Sequence, residues 1–155
     1  MRHADRGITD PVKIEAILRK CELLHLAMTG PEGPYALTVN FGVRGGKLYF
    51  HSATTGKKTA MIEADPRIAF CAHTDYEPVR SEEKACKWSA KYHSVAGQGL
   101  ARFLTDPQEK LAAFKVIMAH HTDLDLPFEP KTLDRTVVVE ITPAQITGMR
   151  KGYEE

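Results

Sequence analysis

Side chains that could bind a phosphate are concentrated in one short segment, Tyr49 to Pro66. An apolar strand runs into His51 and Ser52, a glycine turn follows, and Lys57 and Lys58 open a helical segment that ends before the proline. The first N–H groups of a helix lack backbone partners, and the positive end of the helix dipole favours an anion. The segment therefore predicts a phosphate-binding site at the end of a sheet strand, which is typical of a cofactor site.

The lysines and the histidine of this segment each admit a second interpretation. Lys57 and Lys58 could be solvated side chains, although the dipole at a helix start disfavours cations unless an anionic ligand is bound there. His51 could be a structural residue at a strand end. With an ordinary pKa near 6.5, its imidazole could instead donate to a cofactor or protonate a reduced substrate.

Other kinds of site are not indicated by the sequence. It has neither a G-x-x-x-x-G-K-[ST] nor a G-x-G-x-x-G motif, so a Walker loop and a dinucleotide fold are not expected. It also lacks a C-x-x-C and an H-x(3–5)-H pair, so we expect no metal. The three cysteines are an odd number without paired spacing, which favours reduced thiols.

The composition is that of an ordinary soluble globular domain. The 155 residues suffice for one domain, which we predict over 1–155. The 21 Lys and Arg residues nearly balance 20 Asp and Glu residues, so we expect neither a nucleic acid nor a membrane as partner. No apolar run approaches the roughly 20 residues that span a bilayer. The polar N-terminal residues lack the apolar centre of a signal peptide, and a cytoplasmic location is expected.

Hydrophobic periodicity and turn residues predict mostly strands. Asp10-Pro11 and Asp106-Pro107 each predict a helix start, and Pro143 predicts a break in the last strand. The long polar stretch 74–90 predicts a loop or an irregular excursion. Gly97 and Gly99, inside a predicted strand, indicate either a bulge or a close approach of the backbone to a ligand. The predicted strands are 21–29, 35–43, 47–52, 67–73, 92–105 and 135–149, and the predicted helices are 10–20, 57–64 and 107–121.

This pattern favours a mainly β fold. Antiparallel hairpins come first, one helix follows the third strand, and a long strand closes the chain. The strands do not alternate with helices throughout, so a parallel Rossmann-type sheet is disfavoured. We expect a small closed antiparallel barrel of six or so strands with peripheral helices.

Several motifs together resemble a known family. The chain carries T-V-N-F (38–41), L-Y-F-H-S-A (48–53), G-K-K (56–58) and C-K-W-S-A-K-Y-H-S-V-A-G-Q-G (86–99). In this order they resemble the split-barrel flavin-binding superfamily that includes pyridoxamine 5′-phosphate oxidase. More narrowly, they resemble its 5-nitroimidazole-resistance (Nim-type) branch. The chain lacks the C-terminal arginine–histidine segment with which pyridoxamine phosphate oxidases bind their substrate, so that substrate is not expected.

The resemblance implies a six-stranded antiparallel split β-barrel, a homodimer, and FMN bound at the dimer interface. Among the residues that it places near the flavin, Asn40 also stands out because an amide suits the polar edge of a flavin and is unusual in a strand. Trp88 and Tyr92 could stack on the flavin or cover a substrate pocket, or they could lie in the core or an interface. The residues assigned to the cofactor are Thr38, Val39, Asn40, His51, Ser52, Lys57, Lys58, Thr59, Trp88 and Tyr92.

Two functions remain open at this stage. The first is a flavin-dependent oxidoreductase that reduces a small oxidised substrate such as a nitroaromatic, a nitroimidazole or a quinone, with His51 as the catalytic residue and NAD(P)H or a protein as electron donor. The second is a protein that binds flavin, or haem, without turnover.

Overall fold

The computed structural model describes residues 6–153, so both ends of the predicted 1–155 domain lie outside the described residues. One antiparallel sheet dominates, with helices packed around it. The strands are β1 (Gly7–Ile8), β2 (Leu24–Gly30), β3 (Gly33–Val39), β4 (Phe41–Arg44), β5 (Lys47–Ala53), β6 (Arg67–Val79), β7 (Ser89–Leu104) and β8 (Thr136–Lys151). The helices are α1 (Pro11–Lys20), α2 (Lys57–Ala64), α3 (Pro107–His121) and α4 (Pro130–Asp134), with one 3-10 turn at Ala85–Lys87.

The sheet curls so that its two edges meet. Its strand order is β3-β2-β6-β7-β8-β5-β4, and β1 pairs with β8 outside this path. The edge strands β3 and β4 are not paired, yet only Asn40 separates Val39 from Phe41 along the chain. Two residues span at most about 7 Å. The barrel is therefore open along one seam, where the strand pattern predicted a closed barrel, because β3 and β4 share no hydrogen bonds. Asn40 lies at the point where the edges meet.

Asp-Pro pairs begin two of the helices, as the sequence predicts. Asp10 and Asp106 are the N-caps of α1 and α3, and each accepts backbone N–H bonds from the first helical turn. The apolar face of α1, formed by Ile14, Ile17 and Leu18, packs on the sheet core.

The long β7–β8 hairpin forms the middle of the sheet, and small residues shape it. A Cβ on Gly97 would collide with the Phe70 ring, and one on Gly99 would collide with the Thr142 carbonyl. The register shifts between Gln98 and Gly99, which confirms the predicted bulge. The sequence predicts a break near Pro143, but β8 is continuous there and Pro143 lies at this bulge. A bulge can accommodate a proline because one position in it needs no backbone N–H donor.

Three expectations from the sequence are wrong. The structure has eight strands, where six were expected. The segment 35–43 is two strands, because the chain crosses from one sheet edge to the other at Asn40. Much of the predicted loop 74–90 is strand: β6 continues to Val79 and pairs with β7 across an irregularity after Thr74. Most side chains of that extension are exposed, so burial imposes no hydrophobic period on it.

A buried carboxylate links three strands beneath α3. Glu140 of β8 is only 6% exposed and stands between Tyr49 of β5 and Arg102 of β7. It accepts hydrogen bonds from Lys47 (3.1 Å), Tyr49 (3.2 Å) and Arg102 (3.1 Å). Burial alone would raise the pKa of Glu140, but bonds from Lys47 and Arg102 outweigh it and hold that pKa below its ordinary value. The network fixes the register of the three strands.

Two further sequence expectations concern membranes and thiols. Over residues 6–153, no helix is long and apolar enough to cross a bilayer. Cys21, Cys71 and Cys86 are all free thiols, and Cys21 is buried while the other two are exposed.

Candidate functional site

The end of β5 and the start of α2 form the site that the sequence singles out. His51 and Ser52 lie near the end of β5, and a short turn leads to Gly56, the N-cap of α2. Gly56 has φ +136°, a conformation that L side chains rarely adopt. Unlike the Asp caps of α1 and α3, it offers no side chain to the first helical N–H groups. The start of α2 therefore keeps hydrogen-bond donors available for an anion.

The two adjacent lysines have opposite environments. Lys57 is exposed, its ammonium lies 2.8 Å from the Glu32 carboxylate, and this partner raises the pKa of Lys57. Lys58 is partly buried, with its ammonium 5.3 Å from the centroid of the Phe50 ring. It has no carboxylate partner within residues 6–153. Desolvation lowers the pKa of Lys58, so this is the lysine whose charge a bound anion would stabilise most.

His51 lies beside Lys58 and under an aromatic side chain. Its ring centroid is 6.0 Å from that of Phe114, which projects from α3. Desolvation, and then the charge of Lys58, lower the pKa of His51 below 6.5. The imidazole is therefore neutral at pH 7 and can donate one hydrogen bond and accept another.

The seam of the barrel brings Asn40 to the same place. Phe41 pairs with Phe50, so one further step of this register sets Asn40 opposite His51. Asn40 is exposed, whereas the side chain of Val39 is buried in the core and leaves only backbone for a ligand. Thr38 is exposed on β3, where its hydroxyl lies 3.1 Å from Nδ1 of His25.

Ser52 and Thr59 differ in what their hydroxyls can still bind. Ser52 is half-buried beside His51, and its hydroxyl has no hydrogen-bond partner in the described part of the chain. Thr59 is 3% exposed, and its hydroxyl donates to the Gly56 carbonyl at 2.8 Å. Ser52 can therefore bind a ligand, while Thr59 mainly stabilises the turn that precedes α2.

Trp88 and Tyr92 do not join this cluster within one chain. His51 pairs with Val138, which pairs with Leu104, whereas Tyr92 lies twelve residues further back along β7, opposite Lys151. That separation is about 40 Å along a strand. The Trp88 indole N–H donates to the Ser81 carbonyl at 2.7 Å and so holds its own loop.

The sequence identifies His51, Ser52 and Lys58 but not the aromatic side chains around them. Phe50 lies beneath the Lys58 ammonium, and Phe114 packs against His51 with Phe128 behind it, at a centroid distance of 5.5 Å. Helical periodicity predicts that Phe114 faces inward, but no local signal indicates which strand it meets. No group of three or more His, Cys, Asp or Glu among the described residues is placed to hold a metal ion.

The arrangement fits a ligand that carries a phosphate. Lys58 supplies a desolvated positive charge, Ser52 a free hydroxyl, and the first turn of α2 its N–H groups. In a comparison with protein families, the family described as pyridoxamine 5′-phosphate oxidase matches residues 10–150. The chain belongs to this family. No curated protein matches the chain.

Solved structures of similar fold cover most of the chain. A candidate 5-nitroimidazole antibiotic resistance protein from Bacteroides thetaiotaomicron is 26% identical, with a TM-score of 0.81 over 92% of this chain and 84% of that one. The flavocytochrome Anf3 from Azotobacter vinelandii is 17% identical, with a TM-score of 0.85 over 99% and 72%. An FAD and haem binding protein from Mycobacterium smegmatis is 15% identical, with a TM-score of 0.82 over 97% and 76%.

These comparisons confirm the predicted family and the split-barrel fold. Beyond the fold, they show that the structural relatives include flavin-binding and haem-binding proteins.

Proposed function

We propose that this member of the pyridoxamine 5′-phosphate oxidase family is an FMN-binding oxidoreductase that reduces a small oxidised substrate, nitroaromatic or quinone-like. The proposal rests on the environment of Lys58. It is a partly buried cation without a carboxylate partner among the described residues, beside a helix start that lacks a side-chain cap. A group in this position favours a bound phosphate, and the family membership favours the phosphate of a flavin.

In this proposal each residue has a limited task. FMN, when bound, supplies the electron transfer, and NADH or NADPH is the reductant. Lys58, Ser52 and the α2 N–H groups hold the phosphate. The amide of Asn40 and the neutral imidazole of His51 offer hydrogen bonds where the two sheet edges meet. The Phe114 ring, with Phe128 behind it, lies on one side of the exposed His51 imidazole and would help to orient it.

The partner of the barrel, we propose, is a second copy of the chain. The outward face of β3, β2, β6, β7 and β8 presents two cross-strand rows that contain no Asp, Glu, Lys or Arg. These rows are Thr38–His25–Cys71–Ala96–Thr147 and Ala36–Ala27–Ala69–Gln98–Gln145. Leu100, which is 55% exposed, follows Ala96 and Gln98 along β7 and enlarges the same face.

This face can form the centre of a dimer interface. Five strands spaced about 4.8 Å apart give a width of about 24 Å, and the five residues from Ala96 to Leu100 give a length of about 17 Å. The product is on the order of 400 Å², and a standard-size interface, which buries about 800 Å² on each partner, would extend onto the neighbouring positions. Trp88 and Tyr92 are remote from His51 within one chain. In a dimer they could instead approach the cofactor of the partner.

The test begins with the absorbance spectrum of the purified protein and an FMN titration. We expect a flavin spectrum, or saturable FMN binding to the colourless protein. The loaded protein is then reduced anaerobically with NADH or NADPH and mixed with a 5-nitroimidazole or a quinone. Reoxidation by either substrate supports the oxidoreductase. A protein that neither contains nor binds FMN contradicts the proposal.

Binding without turnover is the second candidate function, and the names of two structural relatives favour it. One is a flavocytochrome and the other binds FAD and haem. A flavin that NAD(P)H reduces but no substrate reoxidises would indicate a carrier or a sensor. A Soret band in the spectrum would indicate haem in place of flavin.

A further inference from the structure

A polar cavity lies beneath α1 and shares no residue with the cluster around Lys58. It has a volume of about 420 Å³ and is bounded by α1, by β1 and by the ends of β6, β7 and β8. Three cationic side chains line it, namely Lys13 and Lys20 of α1 and Arg150 of β8. Cations from two separate elements thus face one concave space.

A histidine held by an aspartate forms another wall of the cavity. Nδ1 of His93 lies 2.9 Å from Oδ2 of Asp75, and the His93 ring stacks on that of Tyr153 at 5.0 Å and 7°. The Tyr153 hydroxyl donates to the Asp75 carbonyl at 2.7 Å. With Nδ1 engaged in this way, Nε2 of His93 has no hydrogen-bond partner among the described residues and can face a ligand.

Asp75 adopts an unusual backbone conformation in making these contacts. Its φ of +56° is the one positive value outside glycine in residues 6–153, and it lies in the irregularity where the β6–β7 register shifts. A left-handed aspartate is uncommon, and residues of this kind cluster at ligand sites. Contacts with His93, Tyr153 and Lys20, whose ammonium is 3.5 Å from the carboxylate, hold Asp75 in place.

The three cationic side chains of the cavity outnumber its two carboxylates, so the lining carries a net positive charge. Asp10 accepts the backbone N–H of Val12 at 2.9 Å as the cap of α1, and Asp75 accepts from His93 and faces Lys20. Lys13 has no carboxylate partner in the described part of the chain. The ligand that best matches these side chains is an anion that accepts hydrogen bonds from several donors at once.

We propose that this cavity binds the phosphate group of a small phosphorylated metabolite. Lys13, Arg150 and His93 would contact the phosphate, and Asp75 would orient His93. The volume falls within the range of small-molecule sites and exceeds what a phosphate alone would fill, so the remaining space would hold the organic part of a monoester.

Isothermal titration calorimetry of the full-length protein, saturated with FMN where it binds FMN, tests this site. Ribose 5-phosphate and inorganic phosphate are the two probes. We expect saturable binding of ribose 5-phosphate, weakened about fivefold or more by Lys13→Met and by His93→Asn. Lys84→Met, which removes an exposed lysine outside the cavity, is the matched control and should change nothing. Inorganic phosphate binding as tightly as the ester would support the site with phosphate itself as the ligand.

Three results would overturn the proposal. One is the absence of saturable binding, and another is an equal affinity in Lys13→Met and Lys84→Met. The third is loss of binding in Lys58→Met, because the probe would then occupy the other site. A protein that fails to bind FMN leaves this titration intact, so failure of the proposed function and failure of this site are distinguishable.

Discussion

The ammonium of Lys57 lies 2.8 Å from the carboxylate of Glu32. This exposed ion pair joins the turn before β3 to the start of α2. It distinguishes Lys57 from its neighbour in sequence, Lys58. It occupies Lys57 and leaves Lys58, over the Phe50 ring, as the cation without a carboxylate partner among residues 6–153.

The pair of lysines provides a matched test of phosphate binding. Lys58→Met should weaken FMN binding by about 1.5–3 kcal/mol, because a charge-assisted contact is lost. Lys57→Met should change it little, since surface ion pairs contribute little and are screened by salt. Fluorescence titration of FMN measures both dissociation constants. Equal effects of the two substitutions would contradict the assignment of Lys58.

The titration of His51 should depend on Lys58. The pKa of His51 is lowered by desolvation and by the Lys58 charge, so its NMR titration midpoint should lie below 6.5. Lys58→Met removes the second cause and should raise that midpoint. Because the unfolded state takes up the proton at higher pH, the contribution of His51 to stability is complete above pH 6.5 and is lost as the pH falls through the folded pKa. A midpoint that is unchanged in the variant would show that the two groups do not interact.

His51→Asn should affect reactivity more than cofactor retention. The imidazole is neutral at pH 7 and lies at the seam opposite Asn40, away from the first turn of α2 that would hold the phosphate. We expect the rate of substrate reduction to fall by about 100-fold or more, the lower end of the range for an acid–base group. The FMN dissociation constant should stay within about threefold of the wild type. Stopped-flow reoxidation and FMN titration of the same sample separate the two effects, and loss of FMN alone would make His51 an anchor.

Glu140→Gln should destabilise the fold by about 1–3 kcal/mol, because the amide cannot match the three donors that the buried carboxylate accepts. Urea unfolding measures the change. Glu109→Gln is the control, since Glu109 also pairs with Arg102 but is 50% exposed, and it should cost less than about 0.5 kcal/mol. A stability loss of similar size in both variants would mean that burial of Glu140 is not decisive.

Ala69→Glu should dissociate the proposed dimer. Ala69 lies in the charge-free row on the outward face of β6, where a second copy would bury the new carboxylate without a partner. Light scattering after size exclusion should give the mass of a monomer for this variant and of a dimer for the wild type. Ala119→Glu, on an exposed position of α3, should remain dimeric. A dimer that survives Ala69→Glu would place the interface elsewhere.

The sequence predicts the local elements well where a local signal exists. The Asp-Pro pairs locate the starts of α1 and α3, and the apolar alternation of Leu24, Leu26 and Met28 locates the buried face of β2. The sequence-based prediction fails where the structure depends on pairing with a distant strand. The break at Asn40 depends on which edge strand each half joins, and the extension of β6 to Val79 depends on pairing with β7 rather than on burial.

The family and the antiparallel β character could be predicted from the sequence, because both rest on residue types at short spacing, and the same kind of signal singled out His51, Ser52 and Lys58 as candidate site residues. Only the folded chain shows that Glu32 pairs with Lys57, that the Phe114 ring lies beside His51 and that Tyr92 is far from His51 along the sheet. These contacts join segments tens of residues apart. Their geometry follows from the curl of the sheet and the packing of α3 upon it, which no short stretch of the chain encodes.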